Sequence, residues 1–183
     1  MASEFKSGNE LITIDVIAKA GVESGMRVGD LGCGNLAYFT LAAAKAVGKT
    51  GIVYAVDILK SVLNSVENLV KQNGWENVKI VWSNLEIVGA TKIEAGSLDV
   101  IFLHNVLFQS DHDDLVLKET HRLLKKGGKL MVIDWQRVSA PFGPPVGDRP
   151  KPEDVKRYGM EAGFKVLEEF TAGPYHYGVT FEK

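Results

Sequence analysis

Two glycines in the segment VGDLGCGN, residues 28–35, are the first candidates for chemistry. Gly32 and Gly34 follow a run of strand-forming residues, and glycines at this spacing let a backbone approach a nucleotide-like ligand closely. With Ala37 they satisfy the relaxed G-x-G-x-x-A pattern of dinucleotide-binding proteins. Asp57, 23 residues beyond Gly34, stands where an acidic residue would bind ribose hydroxyls. The loop alone therefore allows a nicotinamide dinucleotide or S-adenosylmethionine.

A carboxylate beside the glycines favours one of these two ligands. Asp30 lies two residues before Gly32, at the predicted carboxyl end of the first strand. It would repel a pyrophosphate, but it would attract the ammonium and sulfonium groups of S-adenosylmethionine by about 1–4 kcal/mol at about 4 Å. Asp30 could instead accept N–H bonds within the loop, as short acidic side chains do in turns. A nicotinamide-dependent oxidoreductase and a non-catalytic cofactor-binding protein stay open as alternatives.

Candidates for acid–base chemistry end two later apolar runs. His104 ends LDVIFLH, and Asp134 with Trp135 ends KLMVIDW. We expect His104 to contact or deprotonate a bound substrate and Asp134 to orient it, because open α/β sheets bind ligands at the carboxyl ends of their strands. The alternative for His104 is a satisfied buried histidine. We expect no metal, because the sequence lacks clustered ligand spacing.

Short apolar runs alternate with stretches of helical period. The runs are rich in Val and Ile and too short for core helices, which predicts strands at 26–32, 51–57, 78–83, 98–104 and 129–135. Helices are predicted over 36–47, 60–73, 111–125 and about 152–162. The alternation predicts a parallel sheet with helices on both faces. FKVLEEF and YHYGVTFE then predict an antiparallel hairpin, in which His176 would be a packing residue.

Three local signals predict the ends and connections of these elements. Ser110, followed by three aspartates, predicts the start of the helix over 111–125, and Gly127 with Gly128 predicts its end. Five of the six prolines lie within 141–152. A long connection after a parallel strand is typical of a ligand-binding loop, although a simple linker would have the same composition.

Bulk properties describe an ordinary globular protein. The chain has 183 residues, net charge −2 and 45% hydrophobic residues, which fits a single domain over 1–183. No charged tail favours a nucleic-acid or membrane partner, and a single cysteine, Cys33, excludes an intrachain disulfide. The start MASEFKSGNE lacks an apolar signal region. We expect a cytoplasmic protein, either a monomer or a homodimer.

Three segments carry a family resemblance. GMRVGDLGCGNLAYFTLAAAKAVGKTGIVYAVDI (25–58) joins the acidic glycine loop, the pair Phe39-Thr40 and a strand ending in Asp57. SLDVIFLHNVLF (97–108) and ETHRLLKKGGKLMVIDW (119–135) follow in the family's order. Over roughly residues 20–170 the chain resembles class I S-adenosylmethionine-dependent methyltransferases of the ubiquinone/menaquinone-methyltransferase-like type.

The resemblance implies a fold and an activity. The fold would be a doubly wound, Rossmann-like α/β sandwich of three layers, with a seven-stranded sheet of order 3-2-1-4-5-7-6 and strand seven antiparallel. The activity would be methyl transfer from S-adenosylmethionine to a small-molecule acceptor, leaving S-adenosylhomocysteine. The fourth strand ends in LHNV and lacks the Asn/Asp-Pro-Pro-aromatic signature of nucleobase methyltransferases, so DNA is not an expected acceptor.

The resemblance also implies the cofactor contacts. Asp30, Gly32 and Gly34 would cradle the methionine part, and Asp57 would accept hydrogen bonds from both ribose hydroxyls. The other expected contacts are Ile58 on the adenine face, Asn84 and Leu85 at the adenine edge, and His104 with Asn105 beside the methionine and the methyl group. Three positions depart from the family's pattern: Gly29 and Leu36 in the glycine loop region, and Asn84 where an acidic residue is more usual.

Overall fold

The computed structural model describes residues 15–183, in which strands and helices alternate. The strands are β1 Arg27–Leu31, β2 Ile52–Asp57, β3 Val78–Trp82, β4 Leu98–His104, β5 Leu124–Trp135, β6 Lys165–Thr171 and β7 His176–Glu182. The helices are α1 Asp15–Lys19, α2 Tyr38–Val47, α3 Lys60–Gln72, α4 Asp113–Leu123 and α5 Pro152–Glu161. Short 3-10 turns occupy Leu107–Gln109 and Val146–Asp148. The predicted elements are confirmed, and α1 is an addition that the sequence pattern did not predict.

The strands form one sheet in the order β3-β2-β1-β4-β5-β7-β6. Neighbours among β1 to β5 pair in parallel, whereas β7 is antiparallel to both β5 and β6. The predicted strand order and the antiparallel seventh strand are therefore confirmed. The chain reverses its direction across the sheet between β1 and β4, and this switch point is where open α/β sheets bind ligands.

Apolar side chains on both faces of the sheet build the core. On one face, the α2 face, Val28 and Phe102 pack with α1 and α2, and Ala55 packs with α3. On the other, the α4 face, Leu31 and Ile101 pack with α4 and α5. Strands buried on both faces read as continuous apolar runs, which explains why the sequence pattern located them. Helices on both faces confirm the three-layer sandwich.

Both predicted boundaries of α4 are wrong by a few residues. The helix begins at Asp113, and Ser110 lies outside it, where its hydroxyl donates to Glu86 Oε1 at 2.8 Å. At the other end β5 starts directly at Leu124, so Gly127 lies inside the strand. The Gly127 N–H donates to the carbonyl of Lys183 at 2.7 Å. This long-range pairing with the chain end competes with helix capping and is invisible in local sequence.

The proline-rich loop is fixed to the sheet by one buried arginine. Arg149 is 3% exposed, and its guanidinium donates to the carbonyls of Pro144, Gln136 and Val138. It lies 5.2 Å from the centre of the Trp135 ring. The loop thus covers the end of β5.

Within residues 15–183, no helix combines the length and apolar character needed to cross a membrane.

Candidate functional site

A cleft of about 430 Å³ opens at the carboxyl ends of β1, β2 and β4. It lies at the switch point of the sheet between β1 and β4. Every expected cofactor residue except Asp30 lines it, and the set comprises Gly32, Gly34, Asp57, Ile58, Asn84, Leu85, His104 and Asn105. Residues 136–151 of the proline-rich loop do not belong to its wall. The structure therefore brings the residues of three predicted motifs to one site and leaves the loop outside it.

The glycine loop keeps its backbone close to the cleft because side chains would not fit. Gly32 and Gly34 have φ values of +80° and +64°, which side-chain-bearing residues rarely adopt. A Cβ on Gly32 would lie 2.3 Å from Cγ2 of Val106. The N–H groups of Gly32 and Cys33 donate to the Val56 carbonyl at 2.8 and 3.0 Å. The loop is thus tied to β2 on one side and packed against the segment after β4 on the other.

The Asp57 carboxylate is held in place by backbone donors on both sides. Its Oδ2 accepts the Gly34 N–H at 3.3 Å and its Oδ1 accepts the Leu59 N–H at 2.9 Å. Each carboxylate oxygen has a second lone pair. Asp57 can therefore accept two further hydrogen bonds from a vicinal diol while it keeps the glycine loop attached.

An apolar rim continues from Asp57 along the cleft. Ile58 and Leu59 are 50% and 57% exposed, and Leu85, in the loop after β3, lines the same cleft. The Asn84 Oδ1 accepts the Glu86 N–H at 2.9 Å, so the amide NH₂ is the group that can donate to a ring nitrogen. The arrangement suits a flat heteroaromatic ring beside a ribose.

Asp30 lies behind the cleft rather than in its wall. The carboxylate is fully buried, and its Oδ2 accepts the Thr40 hydroxyl at 2.5 Å. Its Oδ1 lies 3.5 Å from Nδ1 of His104. Phe39 packs on the other side of His104, with ring centres 4.2 Å apart. The Phe39-Thr40 pair noted in the sequence therefore fixes His104 and Asp30 together at the back of the site.

Burial shifts both members of this pair toward their neutral forms. Loss of water raises the pKa of Asp30 from 3.8 to about 7, with a smaller contribution from the charge of Asp57. Loss of water also lowers the pKa of His104 to about 3, and the charge that His176 would carry lowers it further. The neutral forms make this contact a polar one rather than an ion pair, and a cation in the cleft would favour the ionised form of Asp30.

Asp134 faces away from His104. His104 pairs with Ile133 across β4 and β5, and successive side chains of a strand point to opposite faces, so Asp134 lies on the α4 face. There it is fully buried, and it accepts N–H bonds from Leu107 at 3.1 Å and Phe108 at 3.3 Å. The structure thus separates the two predicted catalytic candidates and gives Asp134 contacts that hold the turn after β4.

Two residues of the cleft were not singled out by the sequence reading. Glu86 Oε1 accepts the Ser110 hydroxyl at 2.8 Å and the Asp111 N–H at 2.9 Å, and these bonds lower the pKa of Glu86. It joins the loops after β3 and β4 into one rim. Gln109 donates to the Asn105 carbonyl at 3.0 Å. Asn105 itself has a φ of +52°, a left-handed conformation that is frequent at functional sites.

The sheet order with its antiparallel β7, the glycine loop after β1 and the pinned carboxylate that ends β2 are together the features that the resemblance to class I methyltransferases implies. The chain belongs to the methyltransferase domain family, whose profile matches residues 22–157. Its structure matches the crystal structure of an S-adenosylmethionine-dependent methyltransferase from Aquifex aeolicus with a TM-score of 0.85 and 27% identity, covering 94% of this chain and 90% of that one. These matches confirm the predicted class, the fold and S-adenosylmethionine as the cofactor, over the nicotinamide alternative.

Curated relatives are similar over two thirds of the chain. A demethylmenaquinone methyltransferase of Geobacillus stearothermophilus is 34% identical over 120 residues, which are 66% of this chain and 50% of the relative. A ubiquinone/menaquinone biosynthesis C-methyltransferase of Laribacter hongkongensis is 33% identical over 132 residues, which are 70% of this chain and 50% of the relative. The chain thus spans about half the length of the curated relatives it matches.

Among residues 15–183, no group of three or more His, Cys, Asp or Glu side chains could hold a metal ion.

Proposed function

We propose that this chain transfers a methyl group from S-adenosylmethionine to a small-molecule acceptor. One observation carries the proposal: the Asp57 carboxylate, pinned by Gly34 and Leu59, lies between the glycine loop and an exposed apolar rim. A nucleoside fits this spatial order, in which an acceptor for the ribose hydroxyls is followed by an apolar face for the base. The methionine part would lie along Gly32 and Gly34, which have positive φ values and carry no side chain that would keep a ligand from the backbone.

The residues of the cleft would each perform a distinct task. Asp57 would accept both ribose hydroxyls, Ile58 would pack on the adenine ring, and Asn84 would donate to its edge. Asp30, behind His104, would stabilise the positive charge of the methionine part through the buried contact. The bound cofactor brings its own electrophile and leaving group. The protein therefore has to place the acceptor in line and keep water out.

His104 would place the acceptor rather than act as a strong base. Its imidazole is 2% exposed and lines the cleft. Because burial lowers the pKa of His104 to about 3, it is a weak proton acceptor near neutral pH, where a good general base has a pKa close to the working pH. A neutral imidazole can still accept or donate a hydrogen bond, which orients an acceptor atom toward the methyl group.

The names of the curated relatives suggest the first acceptor to test. Reduced demethylmenaquinone is added with S-adenosylmethionine, and the formation of S-adenosylhomocysteine is followed by mass spectrometry. We expect product with the wild-type chain and a strong loss of product with Asp57→Ala. Binding of S-adenosylmethionine without product would exclude this acceptor, whereas the absence of binding would contradict the proposed function itself.

A further inference from the structure

A second buried histidine lies on the same face of the sheet as His104. His176 begins β7 and pairs with Trp135 of β5. Since Ile133 lies on the α2 face with His104, Trp135 lies there two residues later, and His176 beside it. The His176 ring is fully buried, and its centre is 4.2 Å from that of Trp135. Both imidazoles thus stand at the edge formed by the carboxyl ends of the parallel strands, where His104 lines the cleft and His176 is buried beside Trp135.

The His176 side chain lacks the hydrogen bonds that a buried imidazole needs. Within residues 15–183, neither Nδ1 nor Nε2 has a hydrogen-bond partner. Its backbone carbonyl, in contrast, accepts hydrogen bonds from Gln136 Nε2 and from the Ala172 N–H. Buried polar side chains without partners are rare and destabilise the fold. A histidine in this position is explained if a ligand supplies the missing partner.

Arg149 holds the loop beside Trp135 in place and disfavours a positive charge on His176. The guanidinium lies over the Trp135 ring and donates four hydrogen bonds to loop carbonyls, so its N–H groups are largely unavailable to an anionic ligand. Burial lowers the pKa of His176 to about 4, and the charge of Arg149 lowers it further. Asp30 is a further ionisable group beside the imidazoles, since it contacts His104 from β1. The pair therefore presents hydrogen-bonding nitrogens without charge.

We propose that His176 is an acceptor-binding residue that, together with His104, hydrogen-bonds an uncharged methyl acceptor through an O–H or N–H group on the α2 face. The inference rests on the proposed function, since it needs an acceptor beside the cofactor. A neutral imidazole offers one donor and one acceptor. The site would therefore favour a neutral hydroxyl compound over a carboxylate, and over an otherwise identical compound that lacks the hydroxyl.

The test uses one-ring probes on the chain saturated with S-adenosylhomocysteine. Phenol is the neutral hydroxyl probe, toluene lacks the hydroxyl, and benzoate carries a negative charge. Binding is followed through the imidazole ¹⁵N signals of His176, which a merely structural histidine would not shift. The variant His176→Phe keeps a ring against Trp135 and removes both nitrogens. His121→Phe is the matched control, because His121 lies on α4 and already packs edge-on against Phe164.

We expect phenol to shift the His176 ¹⁵N signals and to bind the His176→Phe variant at least about tenfold more weakly, as for sites built to hydrogen-bond a hydroxyl. His121→Phe should bind phenol like the wild type. Equal phenol affinity in both variants, unmoved His176 signals, or tighter binding of benzoate or toluene than of phenol would overturn the inference. Affinity for S-adenosylhomocysteine is measured separately. Its absence counts against the proposed function, whereas intact cofactor binding with failed phenol binding counts against His176 alone.

Discussion

At the scale of single residues, Asp30 has a different position from the one its sequence motif implies. The motif places a carboxylate beside the glycines, and the structure places it one layer deeper, behind His104. The sequence predicts a carboxylate near the methionine part of the cofactor, and this stays a prediction. It could not predict burial, because the layer of Phe39 and Thr40 that covers Asp30 comes from α2, and local spacing says nothing about its depth.

Asp30→Asn should make the protein more stable at alkaline pH. The pKa of Asp30 is 3.8 in the unfolded chain and about 7 in the fold, so the folded state holds a proton that the unfolded state has lost. The stabilisation that this proton gives the folded state is full below about pH 4 and is lost as pH rises through 7. The Tm difference between variant and wild type should therefore grow from about pH 5 to about pH 8 in thermal melts.

The exposed carboxylate of Asp148 provides the control for this series. Asp148→Asn removes the same charge at the surface, so its Tm difference should stay nearly constant with pH. If Asp30→Asn showed an equally flat profile, the buried neutral carboxyl would be refuted.

Asp57→Ala should weaken cofactor binding through the ribose. Two hydrogen bonds to a charged acceptor contribute about 1.5–3 kcal/mol each, so the Kd for S-adenosylhomocysteine should rise by at least tenfold in calorimetry. Asp57→Asn keeps one oxygen and should lie between the variant and the wild type. An unchanged Kd in Asp57→Ala would exclude the ribose assignment.

At the scale of elements, the strands and the site loops differ in how well the sequence predicts them. Burial on both faces is found in β1, β2, β4 and the second half of β5, so their apolar runs identify them. The start of β5 was missed because Gly127 pairs with Lys183 at the far end of the chain. The side to which Asp134 points was missed as well, since it depends on the pairing of His104 with Ile133. Long-range pairing fixed both features.

The packing of the glycine loop against the segment after β4 predicts a specific clash. Gly32→Ala combines backbone strain at φ +80° with a Cβ contact of 2.3 Å to Val106. Gly74 has a similar φ of +67° with nothing within 4 Å, so Gly74→Ala measures the strain alone. We expect Gly32→Ala to lower the free energy of unfolding more than Gly74→Ala in urea denaturation, by about 1–3 kcal/mol.

A second substitution separates the clash from strain at Gly32. Val106→Ala shortens the opposing side chain, so Gly32→Ala should cost less stability in that background than in the wild type. Additive effects of the two substitutions would show that the two segments do not press on each other.

At the scale of the whole molecule, the site exists because the chain reverses direction between β1 and β4. That reversal separates the two loops enough to leave a cleft, and β2 contributes Asp57 to the same edge. The alternation of elements in the sequence was sufficient for a doubly wound sheet, while the full strand order came with the family resemblance. The acceptor side was the least predictable part, because His176 enters it from the antiparallel β7.

The cleft as a whole suits a cationic sulfonium cofactor and its product. The most direct measurement is the Tm of the wild-type chain with S-adenosylmethionine, with S-adenosylhomocysteine, and with NAD⁺ at equal concentrations. A ligand that binds only the native state raises Tm, because it stabilises that state by about 2.7 kcal/mol when its concentration is one hundred times its Kd. We expect a clear rise in Tm with both sulfur compounds and none with NAD⁺. A rise with NAD⁺ alone would contradict it.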